Sequence, residues 1–366
     1  MRHFDVDFRD KNGERYQLSK RIAELTEALM ANYFVYDTEV LEGVWFRDGK
    51  FTYEQREEGT WLPFDTEHDT WGYADCYAWM KHSFTVPTRF AGRPVYYQIL
   101  PQEGKKWAWG SPQALLYANG EALQGFDSNH TRTRLLDCAQ GGEHYEMLLN
   151  LYAGGRDYEG KIGTRLRLLS VDDEVEKLYW HLRTPLEVAN LKEPDELARI
   201  HLLQTLNEAV SLVSFHLPYG EDFLESVREA TAYLEKELYG KREMEATVSA
   251  VGHTHIDVAW LWRLRQTRDK TSRSFATVLK LMEEYPDYRF MSSQAQLYEF
   301  IRQEHPAIFA RIRESVRQGR WEPEGGMWVE ADTNLSSGES LVRQFLVGKR
   351  FFRNAFGADC KILWLP

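Results

Sequence analysis

Val251-Gly252-His253-Thr254-His255-Ile256-Asp257 closes an apolar run over 246–251 and precedes an amphipathic stretch over 268–285. A short apolar run bounded by glycine reads as a buried strand, and the 3.6-residue period beyond it reads as a helix. The alternation continues outward: 288–293 as strand, 296–318 as a helix broken near Pro306, and 321–330 as extended chain. A helix over 339–356 and a last strand over 361–365 follow. Strand-helix alternation predicts a parallel sheet or an α/β barrel, in which functional groups collect where strands end. His253, His255 and Asp257 stand at one such end. Glu324-Gly325-Gly326-Met327-Trp328-Val329-Glu330-Ala331-Asp332 stands at another.

Upstream, residues 187–245 carry two helical patterns and predict a helical linker. Leu197, Ile200, Leu203, Leu206, Val210 and Val213 form one stripe; Phe223, Val227, Ala230, Leu234 and Leu238 form the next. Pro218-Tyr219-Gly220 is the expected break between them. Residues 67–186 differ. Short runs at 79–86, 95–100, 113–117, 145–152 and 164–171 are rich in β-branched and aromatic residues, with Pro87, Gly92, Gly104 and Gly120 between them. This texture predicts an antiparallel, jelly-roll-like β-sandwich of the sugar-binding type. Asn119-Gly120 supplies the two positive φ angles of a tight hairpin. Residues 1–66 read as a helix over 16–34 and a connector with short extended pieces over 36–53. The fold class is thus multidomain: sandwich, helical linker, and a barrel-like α/β unit over 246–366.

A chain of 366 residues has room for two or three domains. The formal net charge of -11 argues against nucleic acid or an anionic membrane surface as partner. No apolar run is long enough to span a bilayer. Cys76, Cys138 and Cys360 are odd in number and far apart, which fits no disulfide framework. With no apolar leader at the start, a cytoplasmic, reducing setting is expected. Aromatic residues make up 14% of the chain, with 12 tryptophans, so some rings are available as sugar platforms beyond those the core needs. Arg263, Arg265 and Arg268 read as solvated helix charges or as substrate-side contacts.

In extended chain, residues two apart point the same way. His255 and Asp257 can therefore face one ion, with His253 also available. The plain alternative is a hydrogen-bonded histidine pair capping the next helix. Imidazole with carboxylate suits a divalent transition ion, zinc above all. Asp332 precedes Thr333-Asn334-Leu335-Ser336, so a turn-capping role competes with a catalytic one. Glu322, Glu324 and Glu330 are rival carboxylates.

The segments "GHTHIDVAWLW" and "EGGMWVEADTNLSSGESLVRQ" resemble the two signature segments of glycoside hydrolase family 38, the α-mannosidases, in its cytosolic and bacterial branch. The order of sandwich, linker and α/β unit resembles that branch as well. The resemblance implies a retaining α-mannosidase acting on terminal α-mannosides of oligosaccharides. It implies one zinc, or cobalt or another divalent ion, held by His255, Asp257 and Asp332. Asp332 would also be the nucleophile, Trp260 would lie against the sugar ring, and His253 would orient a metal ligand. A further histidine ligand and the acid/base carboxyl have no counterpart here. The sequence therefore reads as the N-terminal portion of a longer protein, active only in its full form. A homo-oligomer is left open. Two other readings stand beside this one: a metal-dependent carbohydrate hydrolase or deacetylase that uses metal-bound water, and a non-catalytic carbohydrate-binding protein.

Overall fold

The computed structural model describes residues 13–107, 111–155, 161–193, 196–217, 219–239 and 247–365. Two antiparallel sheets face each other. One has four strands in the order β1 (Val35–Val40), β12 (Arg165–Val171), β6 (Val95–Leu100), β9 (Arg132–Leu136). The other has six: β3 (Leu62–Phe64), β2 (Val44–Asp48), β5 (Tyr77–Thr85), β10 (His144–Tyr152), β7 (Gln113–Ala118), β8 (Glu121–Phe126). A small pair, β4 (Thr70–Trp71) with β11 (Ile162–Gly163), lies beside them.

Alternation decides which way each side chain goes. On β5, Ala78 and Met80 enter the core between the sheets, where they meet Val95, Tyr97 and Ile99 of β6. Trp79, one residue out of phase, points the other way into a different cluster. At roughly 1.5–3 kcal/mol per fully buried large apolar side chain, this register is strongly fixed. The Asn119-Gly120 hairpin forms as expected, with φ of 49° and 88°.

The segment expected as a connector with short extended pieces contributes β1 and β2 to the two sheets. Asp37 and Glu39 take the inward positions of β1 while Tyr36 and Val40 stand exposed, and Arg47 is buried on β2, so polarity does not mark the covered face. Four helices cover the outer face of the four-stranded sheet: α1 (Gly13–Ala28), α2 (Asp173–Asn190), α3 (Leu197–Leu212) and α4 (Glu221–Leu234). Pro218, part of the expected break before α4, lies outside the described residues. Tyr96, Leu169 and Val171 of the sheet meet Ile22, Val175, Leu178 and Leu206 of the helices. Asp172 caps α2 by accepting the Glu174 N–H at 3.0 Å.

Three parallel strands follow in chain order: β13 (Gly252–His253), β14 (Phe290–Ser292) and β15 (Trp321–Pro323). They alternate with α5 (Leu264–Glu284), α6 (Ala295–Glu304), α7 (Pro306–Arg317) and α8 (Gly338–Phe356). Pro306 stands at the start of α7, where it forfeits no helical hydrogen bond. Only the start of a barrel-like unit is expected here, and among the described residues the three-stranded parallel sheet is open. Two further expectations shrink. The run at 247–251 forms no strand, and Val248 is 78% exposed because no neighbouring strand covers it. The last segment contributes a single parallel bridge, Leu363 to Gly325.

Phe275, Phe290, Tyr298, Trp321 and Phe352 pack together in the core of this unit. Trp79, Leu115 and Tyr117 on the outer face of the six-stranded sheet join the same cluster, so the sandwich and the α/β unit share one core. No helix among the described residues is long and apolar enough to cross a membrane.

Candidate active site

Parallel strands in chain order send their following loops from one edge. Here the loops after β13, β14 and β15 meet, and they bring His253, His255, Asp257, Ser293, Gln294 and Glu330 together. His253 Nδ1 lies 2.9 Å from the Met291 carbonyl, so that nitrogen carries the proton. Its Nε2 is buried without a protein partner, and the ring lies 4.7 Å from that of Trp364.

His255 is hydrogen-bonded on one side and lies close to a carboxylate on the other, without hydrogen-bond geometry there. Its Nε2 is 3.1 Å from Asp257 Oδ1, and its Nδ1 is 3.2 Å from Glu330 Oε2. Glu330 is nearly buried, accepts a hydrogen bond from the Ser293 hydroxyl, and has its backbone N–H bound by Gln294 Oε1 at 3.2 Å. Burial pushes the Glu330 carboxyl above the usual range. Ser293, His255 and His253 oppose that shift, and Asp257 adds to it.

Asp332 is exposed and makes a turn of its own. Its Oδ1 accepts the N–H groups of Asn334 at 2.8 Å and Leu335 at 3.2 Å. No hydrogen bond or ion pair joins it to His255 or Asp257 among the described residues. Trp260 is 66% exposed and stands edge-on to Trp262 at 5.5 Å. Of the rival carboxylates, Glu324 is taken up by the Lys361 N–H at 3.2 Å. Arg263 and Arg265 turn to Asp75 of the sandwich, and Arg268 pairs with Glu304.

An imidazole nitrogen beside a carboxylate oxygen is a donor pair that zinc accepts. The carboxylate on the far nitrogen of His255 is the partner such a ligand ordinarily has. The orphaned Nε2 of His253 adds an unsatisfied nitrogen nearby. Among the described residues, however, no three His, Cys, Asp or Glu groups are already arranged to hold an ion. His255 and Asp257 thus fit two places of a site, and Asp332 would have to turn to fill a third.

Residues 245–366 match the N-terminal domain of glycosyl hydrolases family 38. That part of the chain belongs to the family. The match takes in all three strand-end loops of this family 38 unit. Alpha-mannosidase G of Dictyostelium discoideum is 30% identical over 309 residues, covering 79% of this chain and 27% of that protein. Alpha-mannosidase 2C1 of Homo sapiens is 32% identical over 318 residues, covering 81% of this chain and 29% of that protein. The alpha-mannosidase of Saccharomyces cerevisiae is 40% identical over 146 residues, 40% of this chain and 13% of that protein. The chain therefore spans under a third of the length of these relatives.

Glu330 and its supports Ser293 and Gln294 were not singled out by sequence. Glu330 was one carboxylate among several. Ser293 and Gln294 follow β14, whose end would have flagged them had every strand end been inspected, since such ends carry sites.

Proposed function

We propose that this chain contributes the metal-binding and nucleophile-bearing part of a retaining α-mannosidase that removes terminal α-mannosides from oligosaccharides. The observation that carries the reading is His255, set between Asp257 and Glu330 at the strand ends of the family 38 unit. The relatives' names, all alpha-mannosidases, supply the substrate class.

In this reading His255, Asp257 and Asp332 hold one divalent ion, with zinc favoured and cobalt chemically acceptable. When bound, the ion supplies positive charge that orients and polarises sugar hydroxyls. Glu330 Oε2, 3.2 Å from His255 Nδ1, is placed to take the proton of that nitrogen once the ring turns to bind the ion through Nε2. Trp260 offers an exposed face to the sugar. Asp332 attacks the anomeric carbon as the glycosidic bond to the leaving oxygen breaks, giving a covalent glycosyl-enzyme. Its Oδ2 makes no protein hydrogen bond among the described residues, and the attack requires Asp332 to turn so that one oxygen meets the ion and the other the sugar. A second carboxyl protonates the leaving oxygen and later takes a proton from water. The free state of Cys76, Cys138 and Cys360 supports a cytoplasmic setting.

The test is hydrolysis of an aryl α-mannoside by the full-length protein, with metal content measured and the first-formed sugar followed by NMR. Near one zinc per chain and α-mannose as first product are expected. A β-configured first product would overturn the retaining mechanism, and absence of hydrolysis would overturn the activity.

A further inference from the structure

Side chains of the sandwich hold the start of α5, and Asp75 binds two of its arginines. Asp75 sits in the loop between β4 and β5 with φ of 62°, a left-handed conformation that an aspartate tolerates better than most residues. Its backbone N–H binds the Gly154 carbonyl at 2.8 Å, which ties the loop to the end of β10. Its carboxylate accepts the Tyr152 hydroxyl at 3.0 Å and Arg263 Nη1 at 2.9 Å, and also binds Arg265 Nη2. Tyr152 in turn accepts from Gln266, while Tyr77 donates to Asp269 at 2.6 Å. Four residues at the start of α5 are thus held by the sandwich.

The same first turns of α5 carry Thr267, which is fully buried. Its hydroxyl accepts the Ala259 N–H and the Trp262 indole N–H, both at 3.1 Å, and donates to the Asp257 carbonyl at 3.3 Å. One donor and two acceptor positions are all a threonine hydroxyl has, and all are used. The loop 257–262, with Asp257 at one end and Trp260 in the middle, is therefore referenced to α5.

We propose that Asp75 is a positioning residue for that loop: by clamping Arg263 and Arg265 it fixes the start of α5, and through Thr267 it fixes Asp257 and Trp260. The sandwich is then part of the machinery that presents the sugar platform. Charge-assisted bonds from two guanidinium groups to one carboxylate are strong enough for this role. The placement of Trp260 on the sugar rests on the function proposed above; the clamp itself does not.

The experiment compares Asp75→Ala, Arg263→Ala and the double variant in the full-length protein. Amide hydrogen exchange over 258–263, melting temperature, and KM and kcat for an aryl α-mannoside are measured. For Asp75→Ala, exchange in the loop rises about tenfold. KM rises about threefold or more while kcat stays within about a factor of two. Arg263→Ala shifts both in the same direction by less, and the double variant falls short of the sum because the two groups act as a pair. A lowered melting temperature with unchanged loop exchange and unchanged KM would mean a purely structural contact and would overturn the proposal. Should Asp75→Ala fail to fold, Arg263→Ala, altered at a side chain 71% exposed, decides by the same readouts. If the wild type does not hydrolyse the mannoside, the functional reading fails, while faster loop exchange still supports the clamp and unchanged exchange still sinks it.

Discussion

Glu330 addresses His255 on the ring nitrogen that Asp257 leaves free, at 3.2 Å from Nδ1. A carboxylate behind a ligating imidazole sets its tautomer and direction, and its loss typically costs about 10–100-fold in metal affinity. Glu330→Gln should weaken zinc binding by about that factor, read by competition against a chromogenic chelator on the full-length protein. Unchanged affinity would remove Glu330 from the site.

Asp332 separates two roles that the chain could have merged. Its turn needs only one acceptor oxygen for Asn334 and Leu335. Asparagine keeps that acceptor and removes the proposed nucleophile. Asp332→Asn should leave stability within about 0.5 kcal/mol of wild type, since it is an exposed, isosteric change. Mannoside hydrolysis should fall by about a thousandfold or more. Thermal melts alongside activity assays test both halves; an active variant would disprove the nucleophile assignment.

His82 lies in the sandwich core with Nε2 2.9 Å from the Tyr97 hydroxyl and Nδ1 unpartnered. Burial pushes its pKa down to about 3. The unfolded chain binds this proton below about pH 6.5, and the folded chain does not. The stabilisation is present above that pH and is lost as pH falls toward the folded value, at about 1.4 kcal/mol per pH unit. His82→Leu combined with Tyr97→Phe removes the titrating group and its partner hydroxyl together. Urea unfolding at pH 7, 6 and 5 should show a flatter acid limb for the double variant. Parallel pH profiles would refute a neutral buried His82.

Gly348 lets α8 lie against the loop that leads to Glu330 and Asp332. A Cβ there would meet the Gly326 carbonyl oxygen at 2.4 Å and Trp328 N at 2.7 Å, both backbone. Alanine gains about 1 kcal/mol of helix propensity, while overpacking against backbone costs about 1–3 kcal/mol. Gly348→Ala is expected to be net destabilising and to weaken zinc binding as the loop shifts, checked by urea melts and chelator competition. A more stable variant with wild-type affinity would show that α8 can move aside.

The strands at 95–100 and 113–118 were legible because they are almost wholly buried and carry no charge, and those at 144–152 and 165–171 because β-branched, leucine and aromatic residues dominate them. β1 and β2 were harder to read because Asp37, Glu39 and Arg47 take inward positions while Tyr36 and Val40 stand exposed. Helix α2 went unforeseen although Val175, Leu178, Leu182 and Leu186 hold a helical period; it follows directly on a strand and contains Pro185. In the site, the His255–Asp257 relation follows from a spacing of two. Glu330 meets His255 only because two loops far apart in sequence leave the same sheet edge, and no local pattern encodes that.

Gln294 gives the last point. It is buried, holds φ at 63°, donates through Nε2 to the Ile256 carbonyl at 2.8 Å and accepts the Glu330 N–H through Oε1. The gap between the loop at Ile256 and the loop at Glu330 is thereby one amide wide, and neither can shift by more than a hydrogen bond's slack without breaking its bond to Gln294.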